Sequence, residues 1–234
     1  MSLTDDLPGG PMASRPVHFF WVVDTSASMS VDGRMDRLNH SIREALPEMR
    51  SVAEENPGAE LLIRVLAFAS GTRWINPDPV AVNDFSWTPI PAEGLTDLGE
   101  ALSVVASQLE VPPMPERALP PVVCVVTDGM PTDDWRLGLA QFDRSTWGPK
   151  AVRMAIAIET HDSNDVLRDF TKNPELVFNA DRPEELAKAI RFASTVAIKV
   201  ASDTTSGGRA TAVLSQHAVQ LDDTLTDDDD DEFV

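Results

Sequence analysis

The sequence predicts an α/β domain of the doubly wound, Rossmann-like class: a central, mainly parallel sheet of six strands, one of them antiparallel at an edge, with helices on both faces. Three observations carry this. Continuous apolar runs of strand length alternate with segments whose apolar residues recur every three or four positions. Such unbroken runs suit strands buried on both faces, as in a parallel sheet. One connection, "SGT" at 70–72, is short enough for a hairpin and supplies the antiparallel strand.

The elements follow in order. Residues 17–23 (VHFFWVV) form a buried strand that ends on Asp24. Residues 34–55 form a long helix, with Met35, Leu38, Ile42, Ala45, Leu46, Met49, Val52 and Ala53 on one face. Pro47 predicts a bend in it, and "NPG" at 56–58 ends it. Residues 60–69 are a second strand and 73–82 its return strand, placed at the sheet edge by Pro77 and Pro79. A loop, "SWTPIPAEGLTD", leads into a helix over 97–110. The strand at 121–127 again ends on a carboxylate, Asp128. A helix over 133–146, a strand over 151–158, a short helix over 163–171 and a last strand over 175–179 follow. The final helix has Asp181 as its N-cap, with Pro183, Glu184 and Glu185 in its first turn.

Of the 234 residues, 42% are hydrophobic, enough for one core, and the formal net charge is −19. That charge argues against non-specific nucleic-acid binding and against anionic membrane surfaces. No run approaches the roughly 18 apolar residues of a spanning helix. The first ten residues, MSLTDDLPGG, are acidic and turn-rich, unlike a signal peptide, so a cytoplasmic protein is expected. The single cysteine, Cys124, lies within an apolar strand and should be inert. The expected organisation is a disordered lead (1–15), one domain (16–199) and a flexible acidic tail (200–234). The tail holds nine acids and one arginine. It reads as a solubilising coil or as a docking segment, with Thr204, Thr205, Thr224 and Thr226 as phosphorylatable hydroxyls. A third reading has it fold back as a pseudo-ligand.

In a doubly wound sheet, ligands bind beyond the carboxyl ends of the strands, near the point where strand order reverses. That directs attention to Asp24 and Asp128. Taken alone, "DTSAS" reads as a turn or helix cap. In an extended turn, however, Asp24, Ser26 and Ser28 converge into a hard-oxygen set suited to Mg²⁺. "GLTDLG" brings Thr96 to the same end of the sheet, and "VVTDGM" brings Asp128. Asp97, Asp133 and Asp134 read as helix-starting acids, Asp133 and Asp134 for the helix that follows them. His18, His40, His161 and His217 show no zinc-site spacing.

The pattern Asp24-x-Ser26-x-Ser28, Thr96, Asp128-Gly129 resembles the metal-ion-dependent adhesion site of von Willebrand factor A (VWA) domains. "DTSASM", "GLTDLGEAL" and "VVTDGMPTDDW" most resemble the bacterial TerY-like tellurium-resistance group. The resemblance implies that Asp24, Ser26, Ser28, Thr96 and Asp128 hold a divalent cation, Mg²⁺ first and Mn²⁺ or Ca²⁺ as alternatives. An open coordination place would then accept a partner's carboxylate. It also implies a non-enzymatic adaptor whose protein partners include a Ser/Thr kinase and a metal-dependent phosphatase. Arg73, Trp87, Asp97 and Trp135 are expected on the partner-binding rim. Two alternatives stand beside this. One is an adaptor subunit of an ATPase–chaperone machine. The other is a metal-dependent hydrolase, for which the loops offer only Arg34 and Arg73 as substrate anchors.

Overall fold

The computed structural model describes residues 14–159 and 164–202. His161, His217 and the tail threonines 204, 205, 224 and 226 lie outside the described residues, as does nearly all of the lead and of the tail. In chain order the elements are β1 (Arg15–Asp24), α1 (Arg34–Glu55), β2 (Ala59–Ala69), β3 (Gly71–Trp74), β4 (Val80–Ala81), α2 (Leu98–Gln108), β5 (Val122–Thr127), α3 (Trp135–Arg144), β6 (Val152–Ile158), α4 (Asn164–Thr171), β7 (Val177–Ala180) and α5 (Pro183–Ser202).

The strands form one sheet in the order β3-β2-β1-β5-β6-β7, with β4 also paired to β2. β2, β1, β5, β6 and β7 run parallel, and β3 and β4 run antiparallel to β2. The sheet thus has seven strands rather than six, because the return strand expected over 73–82 breaks in two. Pro77 and Pro79 have no N–H for the ladder. The Asn76 side chain bridges the gap: its Oδ1 accepts from Val65 N at 2.9 Å, and its Nδ2 donates to Ile63 O at 2.8 Å. α1 runs unbroken through Pro47.

Alternation along β1 divides the core. Val17, Phe19, Trp21 and Val23 face α1 and α5, meeting Leu38, Ile42, Met49, Leu186 and Ile190. Phe20 and Val22 face the other way, against Leu98, Leu102 and Val105 of α2, Phe142 of α3 and Phe170 of α4. α2 and α3 touch at glycines: a Cβ on Gly138 would fall 2.0 Å from Gly99 O. Cys124 is buried between the layers, and burial pushes its thiol pKa up. Among the described residues, no helix is long and apolar enough to cross a membrane.

β1 also carries a buried histidine. His18 is 5% exposed and stacks on Phe20, and among the described residues neither ring nitrogen has a hydrogen-bond partner. Burial, reinforced by the nearby Arg64 guanidinium, lowers its pKa from 6.5 to about 4. The unfolded chain therefore takes up a proton near pH 6.5, whereas the folded one resists until about pH 4. His18 should cost the fold up to about 3 kcal/mol as the pH drops through that window. Relative to His18→Leu, the wild type should lose stability between pH 6.5 and 4, as read by urea denaturation; parallel profiles would refute this.

Candidate metal centre

β1 has β2 on one side and β5 on the other, so the chain's change of direction across the sheet falls between β1 and β5. Their parallel register, Val23 opposite Val126, brings Asp24 and Asp128 to neighbouring strand ends. Three loops meet there. Ala27 N donates to Gly94 O at 3.0 Å, Thr132 N donates to Thr96 O at 2.8 Å, and Ser28 Oγ donates to Asp128 Oδ1 at 2.7 Å. Gly94 is held at φ +89°, and a Cβ there would sit 2.9 Å from Ser70 N, so only glycine fits this crossing.

Asp24, Ser26 and Ser28 come together. Asp24 is fully buried; its Oδ1 accepts from Ser26 N at 2.8 Å and its Oδ2 from Thr127 Oγ1 at 2.5 Å. The Ser26 and Ser28 hydroxyls lie 3.0 Å apart. Thr96 is buried on the adjoining loop, its hydroxyl 3.9 Å from where a Cβ of Gly129 would stand. Burial pushes the Asp24 pKa up to about 6, against the opposing hydrogen bonds from Thr127 and Ser26, and the charge of Asp128 adds to the rise. The cluster therefore offers two carboxylates and three hydroxyls, all hard oxygen donors. Among the described residues, no three His, Cys, Asp or Glu side chains gather as a ligand set, so hydroxyls are needed to complete any cation site here.

Arg34, at the start of α1, is part of this cluster. Its Nη1 donates to Asp128 Oδ2 at 3.0 Å and its Nε to Glu159 Oε2 at 2.9 Å, while Arg37 pairs with the other Glu159 oxygen. The sequence offers Arg34 only as a substrate anchor for a hydrolase; its one signal is a cation just past the serine loop. Asn39 had no such signal. It is buried in α1, and its side chain accepts from Trp87 Nε1 and Ile90 N and donates to Ile90 O, fixing the loop that leads to Thr96.

The expected rim is revised accordingly. Trp87 is 8% exposed because its indole N–H turns inward to Asn39, and Trp135 is 8% exposed because it packs where α2 meets α3. Neither presents a contact surface. Asp97 acts as a brace, accepting from Gly71 N and Thr132 Oγ1, both at 2.9 Å. Asp133 accepts from Gly99 N at 2.9 Å and Glu100 N at 2.8 Å, so it caps α2 rather than the helix that follows it. Arg73 is exposed, beside a cleft of about 380 Å³ that Thr25, Ser70, Pro91 and Glu93 help to line.

No family model and no curated protein matches the chain. Solved structures match its fold. The pilus adhesin SpaC from Lactobacillus rhamnosus GG aligns with a TM-score of 0.67 at 14% identity, over 80% of this chain and 31% of that one. A von Willebrand factor type A structure from Catenulispora acidiphila aligns at 0.58 and 17% identity, over 80% and 43%. Proximal thread matrix protein 1 from the mussel byssus, with a zinc-occupied MIDAS motif, aligns at 0.56 and 18% identity, over 80% and 46%. The fold is thus the one seen in VWA domains, and this chain spans less than half the length of each of these proteins.

The buried Asp24 charge and the Arg34 bridge give opposite expectations in chelator. The ionised carboxylate opposes folding increasingly from about pH 3.8 and fully above about pH 6, so Asp24→Asn should stabilise the metal-free protein at neutral pH by about 1–3 kcal/mol. Arg34→Met should destabilise it by about 2 kcal/mol, since Asp128 and Glu159 lose their shared partner. Denaturant melts in EDTA measure both, and equal signs for the two variants would refute the assignment.

Proposed function

We propose that this chain is a protein-binding module that takes a partner's carboxylate through a divalent cation. Asp24, Ser26, Ser28, Thr96 and Asp128 would hold the ion. The observation that supports this most is the hydroxyl-bridged cluster itself. Ser26 and Ser28 are within 3.0 Å of each other, Ser28 is bonded to Asp128, and Asp24 is a fully buried carboxylate whose charge no cationic side chain pairs directly among the described residues. A bound divalent cation supplies the missing positive charge. Hydroxyl ligands add no negative charge of their own, so such an ion stays electrophilic toward an incoming carboxylate. The zinc-occupied MIDAS motif of the mussel protein, on the same fold, is in keeping with this donor set.

Mg²⁺ is the proposed ion, because every donor is a hard oxygen. The proposed role is non-enzymatic. Asp24 and Asp128 are both assigned to the ion, which leaves neither of them as a general base. A place in a bacterial stress or kinase–phosphatase system rests on the TerY-like motifs alone, as do a Ser/Thr kinase and a metal-dependent phosphatase as partners; a cytoplasmic location rests on the acidic, turn-rich first residues.

Calorimetric titration of EDTA-treated protein with MgCl₂ or MnCl₂ should show one site per chain. Asp24→Asn, Asp128→Asn and Ser28→Ala should each weaken it at least about tenfold, the loss of one ion ligand. Circular dichroism should show the fold retained. Cation uptake that is indifferent to all three substitutions would refute the proposal.

A further inference from the structure

Five large hydrophobic side chains are exposed among the described residues: Val31 (47%), Leu95 (58%), Val111 (45%), Met130 (49%) and Leu137 (63%). Their placement is uneven. Val31 follows Ser28 by three residues, Leu95 precedes Thr96, and Met130 follows Asp128 by two. Each of the three loops that supply the candidate ligands thus carries one exposed apolar side chain. Leu137, in the first turn of α3, continues from the third loop; only Val111, beyond the far end of α2, belongs elsewhere.

The three loops are held against one another, by Ala27 to Gly94, Thr132 to Thr96, and Ser28 to Asp128. The loops that carry Val31, Leu95 and Met130 are therefore held together at this end of the sheet. Val31 stands at a kink, followed by Asp32 at φ +50° and Gly33 at φ +72°, which returns the chain to α1. One exposed apolar side chain on each of three joined loops is the pattern expected of a contact surface rather than of singly scattered residues.

We infer that Val31, Leu95 and Met130 form an apolar collar, and that the partner presents an Asp or Glu flanked on either side by large apolar residues. This rests on the carboxylate–cation reading above and specifies its ligand. Charge complementarity favours this occupant over an acidic tract. One carboxylate is drawn to the central cation, whereas further acids would meet a chain of net charge −19 and, at this edge, the exposed Asp32, Glu93 and Asp134. Apolar flanks bury the collar and avoid that repulsion.

The test uses a random twelve-residue peptide library displayed on phage, selected on the immobilised full chain in MgCl₂ and eluted with EDTA. Enriched sequences should carry Asp or Glu with Leu, Ile, Val, Phe or Met beside it. Enrichment of acids among polar or basic neighbours, or of no acid at all, overturns the proposal. With the best enriched peptide, Val31→Ser, Leu95→Ser and Met130→Gln should each weaken binding about three- to tenfold, as expected for losing a half-buried apolar contact. Mg²⁺ uptake should be unchanged, because none of the three supplies a proposed ligand. A triple variant that binds within threefold of wild type overturns the collar and leaves the metal bridge standing. A wild-type chain that takes up no Mg²⁺ overturns the parent reading instead.

Discussion

Two carboxylates stand at adjoining strand ends, at the carboxyl end of the sheet, and the burial of the Asp24 charge is the constraint around which this face is built. The parallel pairing of β1 with β5 brings Asp24 and Asp128 to neighbouring strand ends. Burial removes the water that would stabilise the Asp24 charge, and the neighbouring Asp128 adds a smaller repulsion. The surrounding groups each relieve part of it. Thr127 and the Ser26 N–H donate to Asp24, Ser28 donates to Asp128, and Arg34 spans Asp128 and Glu159. The residual negative charge on Asp24 is what the proposed cation would balance.

The acids of this face divide by what they hold together. Asp133 is answered by the Gly99 and Glu100 N–H groups and Asp97 by the Gly71 N–H and the Thr132 hydroxyl, so both brace one element against another. Asp24 is answered by the Ser26 N–H and the Thr127 hydroxyl, and Asp128 by the Ser28 hydroxyl and Arg34.

What could be read beforehand, and what could not, follows the same physics. The strand runs, the long α1 and the placement of Asp24 and Asp128 depend on local patterns and on a general rule for sheets of this class, so they are visible in one dimension. Trp87 and Trp135 were misplaced because an amphipathic ring buries or exposes itself according to a tertiary partner: Asn39 for one, the glycine contact of α2 with α3 for the other. The split of the return strand was hidden for a related reason. An asparagine side chain substituting for strand backbone leaves no periodic trace, although Pro77 and Pro79 marked where the ladder fails. Asp133 was assigned to the wrong helix because an N-cap supplied across a helix–helix contact has no sequence spacing.

That cross-supplied cap has an energetic consequence. Asp133, together with the mutual bonds of Thr96 and Thr132, joins the second and third loops into one body that is ordered in the course of folding. A ligand arriving at this edge meets Thr96 and Asp128 already set against each other, so its binding free energy is not diminished by the conformational entropy of assembling them. For the proposed ion, affinity at the centre and stability of the α2–α3 pair would share the same hydrogen bonds, so a change at Asp133, which is not among the proposed ligands, would lower both together.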